Sequence, residues 1–243
     1  MKVKYLFVLA LLAGCQKEKT PTEATVIAPE KKTEIMLVKE EKFLKTDTIS
    51  ISEGDETSKN NYMLAHLLNQ KADKDSIITQ QYQLDFYQDQ AKTVSSKITI
   101  EGYQKGSEWG ASYGLSSTAD KKSSFIHVSF GYPACGYTQN NYLYYLKNKG
   151  LQLVYEWDTM SDSGWGSWVE FTAPTGKSET NSFYCKRVAF EPEDDNEDMG
   201  TATHSDSIVF QFKNQHWTKQ LLTAEGKTYF EKKMSFNEFH KIQ

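Results

Sequence analysis

Apolar and polar residues alternate with a period of two along much of this chain, and that alternation restricts the fold more than any other feature. A helix repeats every 3.6 residues, so an alternating segment buries one face only as a strand. Tyr82, Leu84 and Phe86 fall on one side, with Gln83, Asp85 and Tyr87 on the other. Leu151, Leu153, Tyr155 and Trp157 oppose Gln152, Val154 and Glu156. Ile208, Phe210 and Phe212 alternate with Val209 and Gln211, ahead of Trp217, Lys219 and Leu221. Short polar turns separate these runs. Lys147, Asn148, Lys149 and Gly150 form one, with Gly150 expected to take the left-handed conformation, and Ala224, Glu225 and Gly226 form another. The phrases Leu146-Lys147-Asn148-Lys149 and Phe212-Lys213-Asn214-Gln215 echo each other, as hairpins do, without making a repeat. The expected fold is all-β: an antiparallel meander forming a sandwich, barrel or small propeller.

Two segments depart from this pattern and predict short flanking helices. Residues 61–69 hold Tyr62, Ala65 and Leu68 at helical spacing. Ser235 and Glu238 have the spacing of a capping box ahead of Phe239.

The N-terminus is built differently. Lys2 and Lys4 precede an apolar run from Tyr5 to Leu12, followed by Ala13, Gly14 and Cys15. A bilayer-spanning helix needs about 20 apolar residues, so this run is too short to serve as an anchor and is read as a removable signal peptide over residues 1–14. Leu12, Ala13, Gly14 and Cys15 resemble the lipobox of bacterial lipoproteins at all four positions. The resemblance implies that the Cys15 sulfur receives a diacylglycerol and that cleavage leaves Cys15 as the acylated first residue. With two or more acyl chains such an anchor is stable. Gln16 stands where inner-membrane lipoproteins of enteric-type bacteria usually carry Asp, so the resemblance implies the outer membrane, facing either the periplasm or the cell surface. The stretch Gln16-Lys17-Glu18-Lys19 is similar to the charged export tags of surface lipoproteins, and equally to a solvated linker. Residues 15–32 are rich in Thr, Glu, Lys and Pro and form a tether. Fully extended, it reaches on the order of 55 Å.

Residues 33–243 then suit one β-rich domain of about 200 residues. Lys and Arg total 28 against 32 Asp and Glu, and loss of Lys2 and Lys4 makes the mature chain more acidic. Nucleic acid is excluded as a partner, because a phosphate-binding surface needs clustered basic residues.

Four groups of residues carry candidate chemistry. Cys135 and Cys185 are the thiols left after lipidation, in an oxidising compartment, and are expected to pair. A bridge closing about 50 residues stabilises by roughly 4 kcal/mol in the loop-entropy model. Gly110-Ala111-Ser112-Tyr113-Gly114 matches the GxSxG string of a nucleophile elbow, but no buried strand leads into it and no helix follows, so a Gly-rich strand or turn is the simpler reading. His204, His216 or His240 would be the base for such a serine and Asp158 or Asp162 its orienter, with no spacing that selects among them. Asp194, Asn196 and Asp198 place oxygens at alternate positions in an acidic loop ending at Gly200. Calcium is therefore the one cofactor to consider, against a plain solvated loop. Trp165 and Trp168, flanking a Ser- and Gly-rich loop beyond Trp157, are candidate ligand-binding aromatics, with Trp165 the more exposed and Trp157 in the core.

The expected function is a non-enzymatic, lipid-anchored binding or interaction module of the cell envelope, taking a protein, glycan or small ligand. The alternatives are a serine hydrolase using Ser112 and a structural envelope component. Changing Cys15 to Ser is expected to abolish incorporation of labelled fatty acid in a bacterium that has the processing enzymes. Failure of the wild-type chain to incorporate lipid there refutes the anchor.

Overall fold

The computed structural model describes residues 42–54, 56–115, 123–173 and 181–241. Thirteen strands follow one another: β1 (Lys45–Glu53), β2 (Glu56–Ala72), β3 (Ile78–Gln88), β4 (Ala91–Ile100), β5 (Glu108–Tyr113), β6 (Phe125–Gly131), β7 (Thr138–Lys147), β8 (Gly150–Asp162), β9 (Trp165–Thr172), β10 (Ser182–Glu193), β11 (Asn196–Lys213), β12 (His216–Leu221) and β13 (Phe230–Ser235). Among the described residues one helix, α1 (Phe236–Lys241), follows the last strand. The strands form a single sheet in the order β12-β11-β10-β9-β8-β7-β6-β5-β1-β2-β3-β4, with β13 on β11. All pairings are antiparallel except β1 with β5, which meet in parallel through Ser52 and Ser112. The path is open at β4 and β12, so the all-β expectation is met by a sandwich-like folded sheet, not a closed barrel.

Two cores explain how the sheet folds. The first collects Ile49 and Ile51 of β1, Met63 of β2, Leu84 and Phe86 of β3 and Ile100 of β4 against Val128 of β6 and Tyr144 of β7. The second collects Phe125 of β6 and Leu143 of β7 against Phe183 of β10, Phe210 of β11 and Trp217 of β12. Strands β6 and β7 therefore carry apolar side chains on both faces and form a central layer. Strands β1–β4 cover one side of it and β9–β12 the other. A third, smaller cluster seats α1 on the outer layer, where Phe239 stacks on Phe190 at 4.1 Å. The free end at β12 is tied back to β8 by a side chain: Gln152 Nε2 donates to the Trp217 carbonyl (2.7 Å), and its Oε1 accepts from the Trp217 amide (2.8 Å).

Several local expectations change. Residues 61–69 lie within β2, not in a helix. Met63, Ala65 and Leu67 are the buried apolar set there, at period two, and β1 and β3 pair with the strand on either side. The helical spacing of Tyr62, Ala65 and Leu68 is incidental: of the three only Ala65 is buried. The four-residue face from Leu151 to Trp157 is also broken. Leu143 pairs with Tyr155 but Tyr144 with Leu153, so Val154 is an extra, bulged residue. Leu151 consequently packs on the first core, Leu153 is 38% exposed, and Val154, Tyr155 and Trp157 turn to the second. In the β7–β8 turn the left-handed residues are Asn148 (φ 51°) and Lys149 (φ 64°), not Gly150. Asn214 (φ 51°) and Gln215 (φ 62°) repeat that two-residue turn between β11 and β12, which accounts for the echo between the two sequence phrases. Half of the capping box forms: the Ser235 hydroxyl accepts from the Glu238 amide at 3.1 Å at the start of α1, while Glu238 Oε1 takes Lys232 Nζ at 2.7 Å.

The expected disulfide is absent: Cys135 and Cys185 are both free, the first exposed and the second buried. Cys185 pairs with Phe171 on β9, whereas the turn holding Cys135 hydrogen-bonds through Gly136 to Ser161, the partner of Gly166. Five residues of β9 separate those levels, about 17 Å along a strand. Bridged Cα atoms must lie within about 7 Å. Burial pushes the Cys185 thiol up to about 12. Native protein is thus expected to alkylate at Cys135 alone, with Cys185 reacting only after denaturation and without reductant. Absence of both thiols in unreduced, denatured protein overturns this.

Candidate functional site

Strands β8 and β9 are joined by a tight turn but pair over only three positions, Asp162 with Trp165, Ser161 with Gly166 and Met160 with Ser167. Beyond that they diverge, because β8 stays in the central layer beside β7 while β9 follows β10 into the outer layer. Arg187 braces the point of divergence. Its Nη1 donates to the Ser167 hydroxyl (3.2 Å) and to the Asp158 carbonyl (3.3 Å), and its Nη2 lies 3.5 Å from the Asp158 carboxylate. Between the separated strands lies a cleft of about 710 Å³.

The central layer supplies one wall. His127 of β6 stacks beside Trp157 of β8 at 5.1 Å and 22°. Its Nε2 lies 2.9 Å from Asn141 Oδ1, and the Asn141 amide donates to the Gln139 carbonyl (2.9 Å) and the Thr159 hydroxyl (3.2 Å). Asn141 is 5% exposed, so this network is fixed before any ligand arrives. The outer layer supplies the other wall. Lys186 Nζ lies 3.1 Å from Glu170 Oε2 and 3.5 Å from His204 Nε2, and Trp168 Nε1 donates to Glu170 Oε1 at 3.4 Å. Phe171, Thr172 and Phe239 complete the lining. Indole faces, an ion pair, two imidazoles and an amide thus converge on one recess, the mixture of apolar and placed polar groups that binding sites use.

Of the two tryptophans expected to meet ligand, only Trp168 lines the cleft. Trp165 is packed away, stacked on Phe190 at 4.4 Å and set over Gly200, where a Cβ would lie 2.4 Å from its ring. Trp157 is buried as expected, yet its remaining surface faces the cleft. Ser112 sits on β5 and not on an elbow, directly across the ladder from His127. Among the described residues its hydroxyl makes no side-chain hydrogen bond, and the expected bases His204, His216 and His240 belong to β11, β12 and α1. Asp194 lies in the two-residue turn between Glu193 and Asn196, and the Asn196 side-chain oxygen accepts from the Asp198 amide at 3.1 Å. No group of three His, Cys, Asp or Glu side chains placed to hold a metal occurs among the described residues. Cys15 lies outside the described residues. The convergence of His127, Glu170 and Lys186 with His204 on one cleft escaped the sequence reading, since they come from four strands and follow no motif.

A second polar cluster lies on the outer face of β1–β4. Thr46 Oγ1 is 2.8 Å from His66 Nδ1, and His66 Nε2 is 3.3 Å from Asp85 Oδ2. Hydroxyl, imidazole and carboxylate stand in the order of a catalytic triad. However, Asp85 also takes hydrogen bonds from Lys92 (2.6 Å), Ser95 (2.7 Å) and Gln83 (3.0 Å). Burial would raise its pKa, but these donors outweigh burial and lower it. The carboxylate is therefore neutralised by Lys92 and its neighbours, as a buried charge in a structural network must be.

In the cleft, burial lowers the pKa of His127 below its ordinary 6.5, opposed by the Asn141 hydrogen bond. Burial and Lys186 lower that of His204, opposed by Glu170. The unfolded chain therefore takes up these protons first, from about pH 6.5 downward, and the folded state only at lower pH. Stability is greatest above pH 6.5, falls through that window and levels off below the folded-state values. Asp85 titrates below 3.8, outside it. A double change of His127→Gln and His204→Gln is expected to flatten the loss of melting temperature between pH 7.5 and 5.5, relative to wild type. An unchanged slope removes these imidazoles as its source. Compared with protein-family models, curated proteins and solved structures, the chain matches none, so its function rests on the geometry of the cleft.

Proposed function

We propose that this chain is a lipid-anchored binding protein of the bacterial outer membrane, held through Cys15, whose β domain captures its ligand in the β8–β9 cleft. The observation that carries the reading is the convergence of Trp157, Trp168, Asn141, Glu170, Lys186 and His204 on one recess of about 710 Å³. Aromatic faces supply contact area, and the polar groups fix orientation. The tether read from residues 15–32 would hold such a domain clear of lipid headgroups.

Hydrolysis through Ser112 has one observation in its favour, the position of His127 across the ladder. Against it, the His127 Nε2 is engaged by the Asn141 amide, and Ser112 is not among the cleft-lining residues. Binding is the better supported reading.

A photo-crosslinking amino acid at Thr172, on the cleft rim, is expected to trap an adduct in living cells. The same group at exposed Lys227, in the turn after β12, is not. Adding Trp168→Ala is expected to reduce the Thr172 adduct at least fivefold. Identical adducts at both positions, or none at either, refute the cleft as the binding site.

A further inference from the structure

We infer that a second recess, between β8 and the end of β4, binds an organic cation: an ammonium group on an alkyl chain, as in a free diamine or a lysine side chain. This site is separate from the β8–β9 cleft and stands without it. Asn140 and Tyr142 of β7 lie directly across the ladder from Asp158 and Glu156 of β8. Directly paired residues share a face, as do residues two apart, so these four side chains project together. Their face is that of the first core, to which Tyr142 belongs. Thr99 of β4 and Glu101, just past its end, line the same space, which measures about 330 Å³.

The charge of this lining is one-sided. Its carboxylates are Glu101, Glu156 and Asp158, and no Lys, Arg or His stands among the lining residues. Arg187 Nη2 lies 3.5 Å from the Asp158 carboxylate and meets part of that charge. Glu101 and Glu156 make no ion pair among the described residues. Residues two apart on a strand stand about 7 Å apart, so Glu156 and Asp158 repel each other and a cation beside them relieves the repulsion.

Tyr142 adds what a solvated acidic surface lacks. It is 5% exposed, and its hydroxyl makes no hydrogen bond among the described residues. The unpartnered side-chain atoms sealed from solvent belong to Trp109, Glu193 and Trp217, so the Tyr142 oxygen is reached from outside, through the recess it lines. A polar group this deep calls for a partner. Burial, with Glu156 opposite, pushes the hydroxyl up to about 12, so it stays neutral and its oxygen accepts from an N–H donor.

The lining also selects the kind of cation. No group of three His, Cys, Asp or Glu side chains among the described residues is placed to hold a metal, whereas an ammonium takes its three acceptors singly. Glu101 and Asn140 also line an adjoining recess of about 280 Å³ whose walls include Tyr103, Phe130 and Tyr132. Aromatic surface beside carboxylates suits an alkyl stem that ends in a charge.

The full chain carrying Cys15→Ser is titrated calorimetrically with diaminopentane, with Nα-acetyl-lysine amide, and with pentanediol as the uncharged counterpart of the diamine. Both amines are expected to bind, more weakly as salt rises, and pentanediol is not. A tighter diamine marks a free amine as the ligand, and an equal or tighter lysine derivative marks a partner's side chain. Glu156→Gln, at an exposed residue, should weaken amine binding about tenfold, and Tyr142→Phe, which removes only the hydroxyl, about fivefold. Trp168→Ala, in the other cleft, should leave it unchanged. No amine binding, or binding that pentanediol matches, overturns the inference. So does amine binding that withstands both Glu156→Gln and Tyr142→Phe, or that Trp168→Ala abolishes, and so does calcium that displaces the amine at equal concentration. If Tyr142→Phe does not fold, the double change Glu101→Gln and Glu156→Gln decides alone: amine binding that withstands it overturns the site.

Discussion

A central layer that is apolar on both faces is the constraint on which the structure depends. Along β6 and β7, neighbouring side chains go to opposite cores: Ile126, Val128 and Phe130 to one and Phe125 to the other, then Tyr142, Tyr144 and Leu146 to one and Leu143 to the other. Strands of this kind need cover on both sides. A fully buried large apolar side chain contributes roughly 1.5–3 kcal/mol relative to exposure, so stripping either cover would expose more than the stability of an ordinary domain. The outer layers are therefore not optional additions. Each exists because the middle of the chain cannot face water on either side.

Covering both faces with one continuous sheet requires corners, and a corner interrupts hydrogen bonding. The sheet crosses from β5 to β1 through a single bridged pair and from β8 to β9 through three. At the second corner the layers separate far enough to leave the cleft, braced by Arg187 at its closed end. Edge strands exposed to solvent invite uncontrolled pairing with other chains. Here the point where β8 and β9 part is recessed between layers, which limits what reaches it to something narrow. The same geometry that completes the second core thus creates the recess with the chemistry to bind.

Polar clusters toward the two ends of the sheet behave differently. Asp85 and His66 are taken up by Thr46, Lys92, Ser95 and Gln83 in a closed network. In the cleft, Glu170, Lys186 and His204 face a recess of about 710 Å³. Motif order alone would favour the first cluster, with its hydroxyl, imidazole and carboxylate in sequence. Access to a cavity favours the second.

Much of the secondary structure was legible because its causes are local. Alternation at Tyr82, Leu84 and Phe86 reports the buried face directly, and the Ser235 cap and the polar two-residue turns act through neighbouring atoms. Local evidence failed where a strand changed register. The bulge at Val154 reversed a face that alternation had drawn unbroken; in β2 the failure was different, since an incidental three-residue spacing let a strand pass for a helix. Separation along the chain was equally silent on Cys135 and Cys185, which lie at different levels of the sheet. The cleft was least legible of all: His127, Asn141, Trp168, Lys186 and His204 come from five strands, and nothing in their spacing announces that two adjacent strands part company. By itself, then, the sequence determined where strands and turns form, since alternation and turn conformation are short-range. Only the tertiary structure decided where two adjacent strands part, because that follows from how two separate cores pull β8 and β9 into different layers.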